Sequence, residues 1–444
     1  MSKRNFTLLI IVLVIVVAVL FGFLFYKNAP VAPGEEPGGT NFFSQFNPFS
    51  NNDSTTPDVT PPPTDISDYV PPEEETNLSL LKVSSMPVAG YTVFQKERFK
   101  EVPVVAPSAM EGEGALPAPV PTKPTPPQTE FVPALRYVDR ATGNIYQTFA
   151  DKIEERKFSV TVIPKVYEAV FGNGGEAVVM RYVKGDGKSI ETFFGKLPKE
   201  ILGGDSTGEN EVRGTFLPAN ITDLSLTADG KNLFYLFDSG ETTIGTTLDL
   251  TTEKKAQIFD SAFNEWLPLW PNSKLITLTT KPSYLAPGYM YKLDTGTKGF
   301  SQILADITGL TTLTSPDGKK VLYANNTLAL NIYHTDTKVS ESLGVRTLPE
   351  KCVWGKDSLV IYCAAPKMVT GANYPDIWYQ GETSFDDQIW KIEVETGSAS
   401  ILLDPASTTA GENVDGIKLS LDQGEKYLFF VNKKDSFLWK FDLE

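Results

Sequence analysis

A turn signal that recurs at a nearly constant interval is the feature that most constrains the fold of this chain. Asp229-Gly230, Asn272-Ser273 and Asp317-Gly318 lie 43 and 45 positions apart, and each separates two short runs rich in apolar residues. Glycine supplies the positive φ that a tight hairpin turn requires. A repeat of about 40 to 45 residues with a hairpin inside it is typical of four-stranded blades around an axis. The interval therefore predicts an all-β propeller.

The same inner hairpin recurs along most of the chain. Six copies are recognisable, at 171–177, 224–237, 270–276, 313–324, 354–360 and 421–427. A second hairpin that ends in Thr-Gly is expected to join the outer two strands of a blade, at 137–143, 291–296 and 390–397.

The run Ser315-Pro316-Asp317-Gly318-Lys319 resembles the inner hairpin of TolB-like and WD40-like propeller repeats, and the Thr-Gly turns resemble their outer hairpin. The resemblance covers residues 78–444. We count seven blades, with six as the alternative. The resemblance implies no particular activity, because propellers serve as enzymes, binding hubs and scaffolds alike.

The seventh blade depends on the segment Leu78–Val83 and on the run Pro87–Phe94, which are rich in β-forming residues. The last β-rich run, 437–443, is predicted to be a third strand with no fourth strand after it. If the segment Leu78–Val83 supplies that strand, the ring closes and an exposed sheet edge is removed.

Residues Phe6 to Tyr26 are 21 uncharged, mostly aliphatic positions. As a helix they span ~30 Å, the thickness of the hydrocarbon core of a bilayer. Lys3 and Arg4 precede the span, which places residues 1–5 in the cytoplasm and the rest outside. We expect a single-pass anchor in the cell membrane. A cleaved signal peptide is the alternative, although the apolar run is long for one and no A-x-A site follows.

Residues 27–76 are rich in proline, glycine and acidic side chains. This composition predicts a disordered linker, since it cannot bury a core. The propeller domain then occupies 77–444. A second proline-rich stretch, 102–133, is predicted to be a disordered loop insertion in the first blade, with a polyproline docking segment as the alternative.

Connections in a propeller alternate between two faces. We call the face with the first-to-second and third-to-fourth strand turns the short-turn face, and the opposite one the long-loop face. The longest connections are all predicted to lie on the long-loop face, at 102–133, 201–218, 281–288, 366–387 and 404–413. Loops on a rigid scaffold often carry binding residues. Candidate binding residues are Tyr284, Tyr289, Tyr374, Trp378, Tyr379 and Phe385. The alternative is that Trp378 and Tyr379 fold inward and fix the loop to its own blade.

Cys352 and Cys363 are placed symmetrically about the predicted turn at Asp357-Ser358. Facing positions on adjacent strands permit a disulfide, which an oxidising exterior favours. Two buried thiols are the alternative, and the role is structural in either case.

The sequence predicts no catalytic, metal or cofactor site. The chain has one histidine, His334, in a predicted strand. Gly204-Asp-Ser-Thr-Gly208 has the G-x-S-x-G spacing but lacks the strand and helix that a nucleophile elbow requires. The adjacent Asp386 and Asp387 are expected to be solvated. We therefore predict that the protein is not an enzyme.

The formal net charge of −15 argues against nucleic acid or an anionic lipid surface as the ligand. The predicted function is a membrane-anchored, extracytoplasmic scaffold that binds a protein partner through the long-loop face. One alternative is a TolB-like accessory subunit for envelope integrity or secretion. Another is an enzyme that acts on glycans or peptides with carboxylates in the central channel.

Overall fold

A computed structural model describes residues 80–100, 127–200, 202, 210–408 and 411–443. In this part of the chain, 28 strands form seven four-stranded antiparallel sheets. The all-β propeller of seven blades is thus confirmed. The predicted membrane span 6–26 and linker 27–76 lie outside the described residues. Among the residues that are described, no helix has the length and apolar character needed to cross a membrane.

Each blade is a meander of four strands, and the first strand in each of blades 1 to 6 lies at one edge of its sheet. The first strand of the chain is β1 (Leu80–Lys82), which belongs to blade 7. Blade 1 contains β2 (Val88–Phe99), β3 (Thr129–Asp139), β4 (Ile145–Phe149) and β5 (Arg156–Lys157). Blade 2 contains β6 (Val166–Gly172), β7 (Ala177–Val183), β8 (Ile190–Lys196) and β9 (Arg213–Phe216). Blade 3 contains β10 (Ile221–Leu226), β11 (Asn232–Asp238), β12 (Thr243–Asp249) and β13 (Lys255–Ser261).

The remaining blades repeat this plan. Blade 4 contains β14 (Trp266–Asn272), β15 (Leu275–Thr280), β16 (Pro287–Asp294) and β17 (Phe300–Thr308). Blade 5 contains β18 (Thr311–Thr314), β19 (Lys320–Ala324), β20 (Ala329–His334) and β21 (Ser340–Arg346). Blade 6 contains β22 (Cys352–Trp354), β23 (Val360–Pro366), β24 (Asp387–Glu393) and β25 (Ser398–Leu403). Blade 7 contains β26 (Gly416–Leu421), β27 (Tyr427–Asn432), β28 (Leu438–Asp442) and β1.

Helical structure is confined to short connections of the described chain. The segment between β23 and β24 contains α1 (Asp376–Tyr379). Three 3₁₀ turns cover Asn173–Gly175, Pro349–Lys351 and Pro405–Ser407.

Blade 7 is assembled from two distant parts of the sequence. β1 pairs antiparallel with β28, with Leu80 opposite Phe441 and Lys82 opposite Trp439. Leu80 and Val83, which lies just after the strand, are buried. Leu81, between these two positions, is 45% exposed. The structure therefore places this segment as the fourth strand of the closing blade, as predicted.

The apolar core lies between blades rather than inside any one of them. Within the described residues, one buried cluster joins each neighbouring pair around the ring. Between blades 3 and 4, for example, Leu236 packs in one cluster with Trp270 and Ile276. A blade buries its faces only against its neighbours, so the stability of the core depends on a closed ring.

All six predicted inner hairpins join the first and second strands of a blade. The assignment of two long connections was wrong. β3 begins at Thr129 and pairs with β2, so the connection near 102–133 joins first and second strands. The segment near 201–218 joins β8 to β9 and includes β9. Both therefore belong to the short-turn face.

The turn at Asp139–Gly143 was also assigned to the wrong hairpin. It joins β3 to β4, which are the second and third strands of blade 1. Turn residues mark where a hairpin reverses but not which pair of strands it joins. The neighbouring long insertion concealed the true order of strands in this blade.

Ring closure can be tested at β1. We expect Leu80→Asp with Val83→Asp to lower the free energy of unfolding by about 3 to 6 kcal/mol, because each buried aliphatic side chain contributes about 1.5 to 3 kcal/mol. Chemical denaturation measures this change. The control is Leu81→Asp at the exposed position between them, which should change stability by less than about 0.5 kcal/mol. Equal effects of the two variants would contradict closure by β1.

Candidate functional site

The connection 366–387 is the longest described connection on the long-loop face, and its aromatic side chains are mostly buried. Tyr374, Trp378 and Phe385 pack together, and they contact a cluster that includes Leu328 and Leu348. Leu328 and Leu348 belong to connections of blade 5 on the same face. The connection therefore packs over the neighbouring blade.

Asp415 holds this connection in place from the start of blade 7. Its carboxylate accepts hydrogen bonds from the indole Nε1 of Trp378 at 2.9 Å and from the backbone N–H of Phe385 at 3.0 Å. It also pairs with the ammonium group of Lys351. The fully buried carboxylate of Asp415 thus fixes the connection at Trp378 and at Phe385.

Lys351 bridges Asp415 to a second buried carboxylate. Its Nζ lies 2.7 Å from Oδ2 of Asp387, and the same oxygen accepts the backbone N–H of Gly416 at 2.7 Å. Lys351, Asp387 and Asp415 are all fully buried. Burial raises the pKa of Asp387 to about 6, although the charge of Lys351 opposes the shift. We call these three residues the buried ion network.

The expectation that Asp386 and Asp387 are both solvated was wrong for Asp387. Successive side chains of a strand point to opposite faces, so only one of the pair faces solvent. Asp386 pairs with Lys434, whose side chain is partly exposed, whereas Asp387 begins β24 and points inward. Nothing in the sequence places Lys351 or Asp415 beside Asp387, because these residues are far apart along the chain.

Asp376, at the start of α1, joins the connection to blade 4. Its carboxylate oxygens lie 3.0 Å from the backbone N of Tyr284 and 3.3 Å from Oγ of Ser283. The carbonyl of Tyr284 in turn accepts a hydrogen bond from Asn326 of blade 5 at 3.3 Å. Connections of blades 4, 5 and 6 are therefore joined into one surface.

This joined surface presents apolar side chains to solvent. Leu285 is 75% exposed and Met368 is 72% exposed. Tyr379 is 41% exposed, and its hydroxyl donates a hydrogen bond to Oε2 of Glu350 at 2.5 Å. Burial raises the pKa of Glu350 to about 7. We call Leu285, Met368 and Tyr379 the exposed patch.

Of the six predicted binding residues, the structure brings five into this region. Tyr374, Trp378 and Phe385 form its buried support, and Tyr379 lies on its surface. Tyr284 is half-buried beside Asp376. Tyr289 lies in β16, where its hydroxyl donates to Asp306 at 2.8 Å. Leu285 and Met368 were missed, because an exposed aliphatic residue looks the same in sequence as a buried one.

The first strands of the blades surround the central channel, where one carboxylate has a strongly shifted pKa. Asp223 in β10 is partly buried, and burial raises its pKa to about 7, with repulsion from Glu168 adding to the shift. Glu168 itself pairs with Arg181 at 2.7 Å. This part of the channel therefore combines a proton-accepting group with a fixed ion pair.

The predicted disulfide is confirmed. Cys352 and Cys363 face each other in β22 and β23, with their Cα atoms 4.0 Å apart. His334 ends β20, and its Nε2 lies 3.7 Å from a carboxylate oxygen of Glu341. Residues 204–208 lie outside the described residues. In the described ranges, no group of three His, Cys, Asp or Glu side chains is arranged to hold a metal ion.

No protein-family model matches the chain, and no curated protein does. Among solved structures, it is similar to an oligogalacturonate lyase in complex with manganese, with 11% identity, 70% of this chain and 85% of the other covered, and a TM-score of 0.47. It is also similar to TolB from Acinetobacter baumannii, with 12% identity and a TM-score of 0.38. That match covers 69% of this chain and 61% of TolB. A third similar structure is a putative 6-phosphogluconolactonase from Bacteroides fragilis, with 12% identity and a TM-score of 0.44. That match covers 68% of this chain and 87% of the other. Sequence identity and structural similarity at this level give no information on the function of this chain.

The role of the buried ion network can be tested with Lys351→Met. We expect a loss of about 3 to 5 kcal/mol in the free energy of unfolding, because two buried carboxylates lose their shared counter-ion. The control is Lys434→Met, which removes the partly exposed partner of Asp386 and should cost less than about 1 kcal/mol. Denaturant titration distinguishes the two variants. A cost below about 1 kcal/mol for Lys351→Met would show that the network does not hold the connection.

Proposed function

We propose that this protein is a membrane-anchored, extracytoplasmic propeller that binds a protein partner through its long-loop face. In this role it acts as a scaffold module of a bacterial-type cell envelope. The predicted span 6–26 supplies the anchor, and the propeller supplies the binding surface.

The exposed patch is the observation that carries the proposal. Leu285 and Met368 are among the most exposed apolar side chains of the described chain, and they lie on connections that Asp376 joins. The buried ion network beneath fixes Trp378, which is next to Tyr379 in the chain. An apolar surface that is already ordered loses little conformational entropy on binding, which favours a protein partner. Exposed apolar surface that is contiguous marks interaction sites on soluble proteins.

The point at which the chain enters the propeller supports the choice of face. Leu80 begins β1 opposite Phe441, near the end of β28. This end of blade 7 belongs to the short-turn face, because the third strand of a blade ends there. The exposed patch therefore lies on the face opposite to the entry point of the chain.

A TolB-like accessory role in envelope integrity or secretion is a narrower form of the same proposal. It predicts stable membrane partners that copurify with the protein without added ligand. An enzyme that uses channel carboxylates is a separate candidate, and Asp223 favours it because its pKa of about 7 suits a general base at neutral pH.

Crosslinking on intact cells, followed by affinity purification and mass spectrometry, tests the proposed function. We expect Leu285→Glu with Met368→Glu to reduce recovery of a specific partner at least about tenfold, as loss of interface hot spots does. The control is Val339→Glu with Leu359→Glu, which places the same charges at exposed apolar positions in two hairpins of the short-turn face. Point substitutions are preferable to deletion of the loop, since deletion would remove the buried Trp378.

A partner that both double variants retain equally would exclude the exposed patch as its binding site. If no partner is recovered at all, the enzyme candidate becomes the stronger one, and Asp223→Asn is the variant to compare with wild type.

A further inference from the structure

A charged cavity lies on the short-turn face, at the boundary of blades 1 and 2. Its volume is about 720 Å³. Cavities of about 300 to 1,000 Å³ suit small-molecule ligands. Its charged lining residues are Lys96, Arg98, Arg136, Arg156, Lys199, Glu97, Glu154, Glu155, Glu176 and Glu200. The site is separate from the exposed patch, which is on the opposite face.

Arg136 forms a fixed inner wall of this cavity. The side chain is only 3% exposed, and its guanidinium carbon lies 4.1 Å from the ring centre of Phe158. Its Nε donates to Gln147 Oε1 at 2.8 Å, and Nη1 donates to the carbonyl of Gly175 at 2.7 Å. These bonds and the aromatic contact hold the guanidinium in one orientation.

Three cations in the cavity share one carboxylate. Glu200 accepts hydrogen bonds from Lys96 and Arg156, and one of its oxygens lies 3.5 Å from Nη2 of Arg136. Glu176 also acts electrostatically on Arg136, but the positive groups still outnumber these two carboxylates. Lys96 and Arg156 remain partly exposed. Over its whole lining the cavity holds equal numbers of basic and acidic side chains, so the excess of positive charge is confined to the three cations around Glu200.

The pKa values of these basic groups indicate that Glu200 does not fully compensate their positive charge. Burial lowers the pKa of Arg136 to about 10, and repulsion from Arg156 contributes, even though Glu200 opposes both effects. Burial likewise lowers the pKa of Lys96, with repulsion from Arg156 and Arg136 in the same direction. Arg98 differs, because Glu130 and Asp151 pair with it. A further negative charge near Lys96, Arg136 and Arg156 would therefore be stabilised.

We propose that this cavity binds a small oxyanion, a phosphate or a carboxylate group of a soluble ligand. Lys96 and Arg156 contact the anion from the open side of the cavity, and Arg136 provides a fixed donor behind them. Arginine suits this role because its planar donors match the oxygens of phosphate and carboxylate groups. Glu200 and the ligand compete for the same cations, so removal of the Glu200 charge strengthens binding.

Isothermal titration calorimetry of the folded protein with sodium phosphate and with citrate, at constant ionic strength, tests this site. We expect saturable binding of at least one of the two anions by wild type. Glu200→Gln should tighten it at least about fivefold, the factor that repulsion between two unit charges 4 Å apart represents even in bulk water. Arg156→Gln should weaken it by a similar factor, and Lys96→Gln serves as a second variant if Arg156→Gln does not fold.

Lys231→Gln is the control, because its side chain is 70% exposed in blade 3 and should not affect binding. Opposite effects of Glu200→Gln and Arg156→Gln separate a binding role from a structural one, since loss of a purely structural ion pair would change both variants in the same direction. The proposal is overturned if neither wild type nor Glu200→Gln shows saturable binding, or if Arg156→Gln and Lys96→Gln both bind as wild type does.

Discussion

The pairing of β1 with β28 is the constraint on which the rest of the structure depends. Each blade buries its faces against its two neighbours, so a gap anywhere in the ring would expose two apolar surfaces. The ring closes where Leu80 and Val83 join blade 7, next to the clusters that blade 7 shares with blades 6 and 1. Strands far apart in sequence thus complete one sheet, and β1 covers the edge that β28 would otherwise expose.

The buried ion network is the second constraint, and it acts on the long-loop face. Two carboxylates and one ammonium group are fully buried there, which is costly unless every partner is well placed. Here the carboxylates also accept hydrogen bonds from Trp378, Phe385 and Gly416. The network thereby converts a long connection into a defined surface, and that surface carries the exposed patch.

Much of the fold could be predicted from the sequence, because the repeat of turn signals records the blade directly. The inner hairpins and the pairing of Cys352 with Cys363 follow from local patterns, and the closure by Leu80 follows from the fourth strand that the last blade lacks. The faces of the connections near 102–133 and 201–218 could not be predicted reliably. An insertion separates the strands of blade 1, and a turn motif does not state which strands it joins.

The candidate sites were predictable only in part. The aromatic residues of 366–387 stand out in the sequence, but their composition does not reveal that Trp378 is buried and Tyr379 exposed. Contacts between distant residues decide this, as with Lys351 and Asp415. The same holds for Glu200, which meets Lys96, Arg136 and Arg156 only after blades 1 and 2 have packed together.

The proposal of a fixed binding surface is tested most directly by hydrogen exchange of the intact protein, followed by mass spectrometry. The amide of Phe385 is bonded to Asp415, and the amide of Trp378 to the carbonyl of Pro375. If the connection is held as described, peptides that cover 376–387 exchange nearly as slowly as β24. Exchange as fast as that of the exposed connection 183–190 would contradict a fixed surface on the long-loop face.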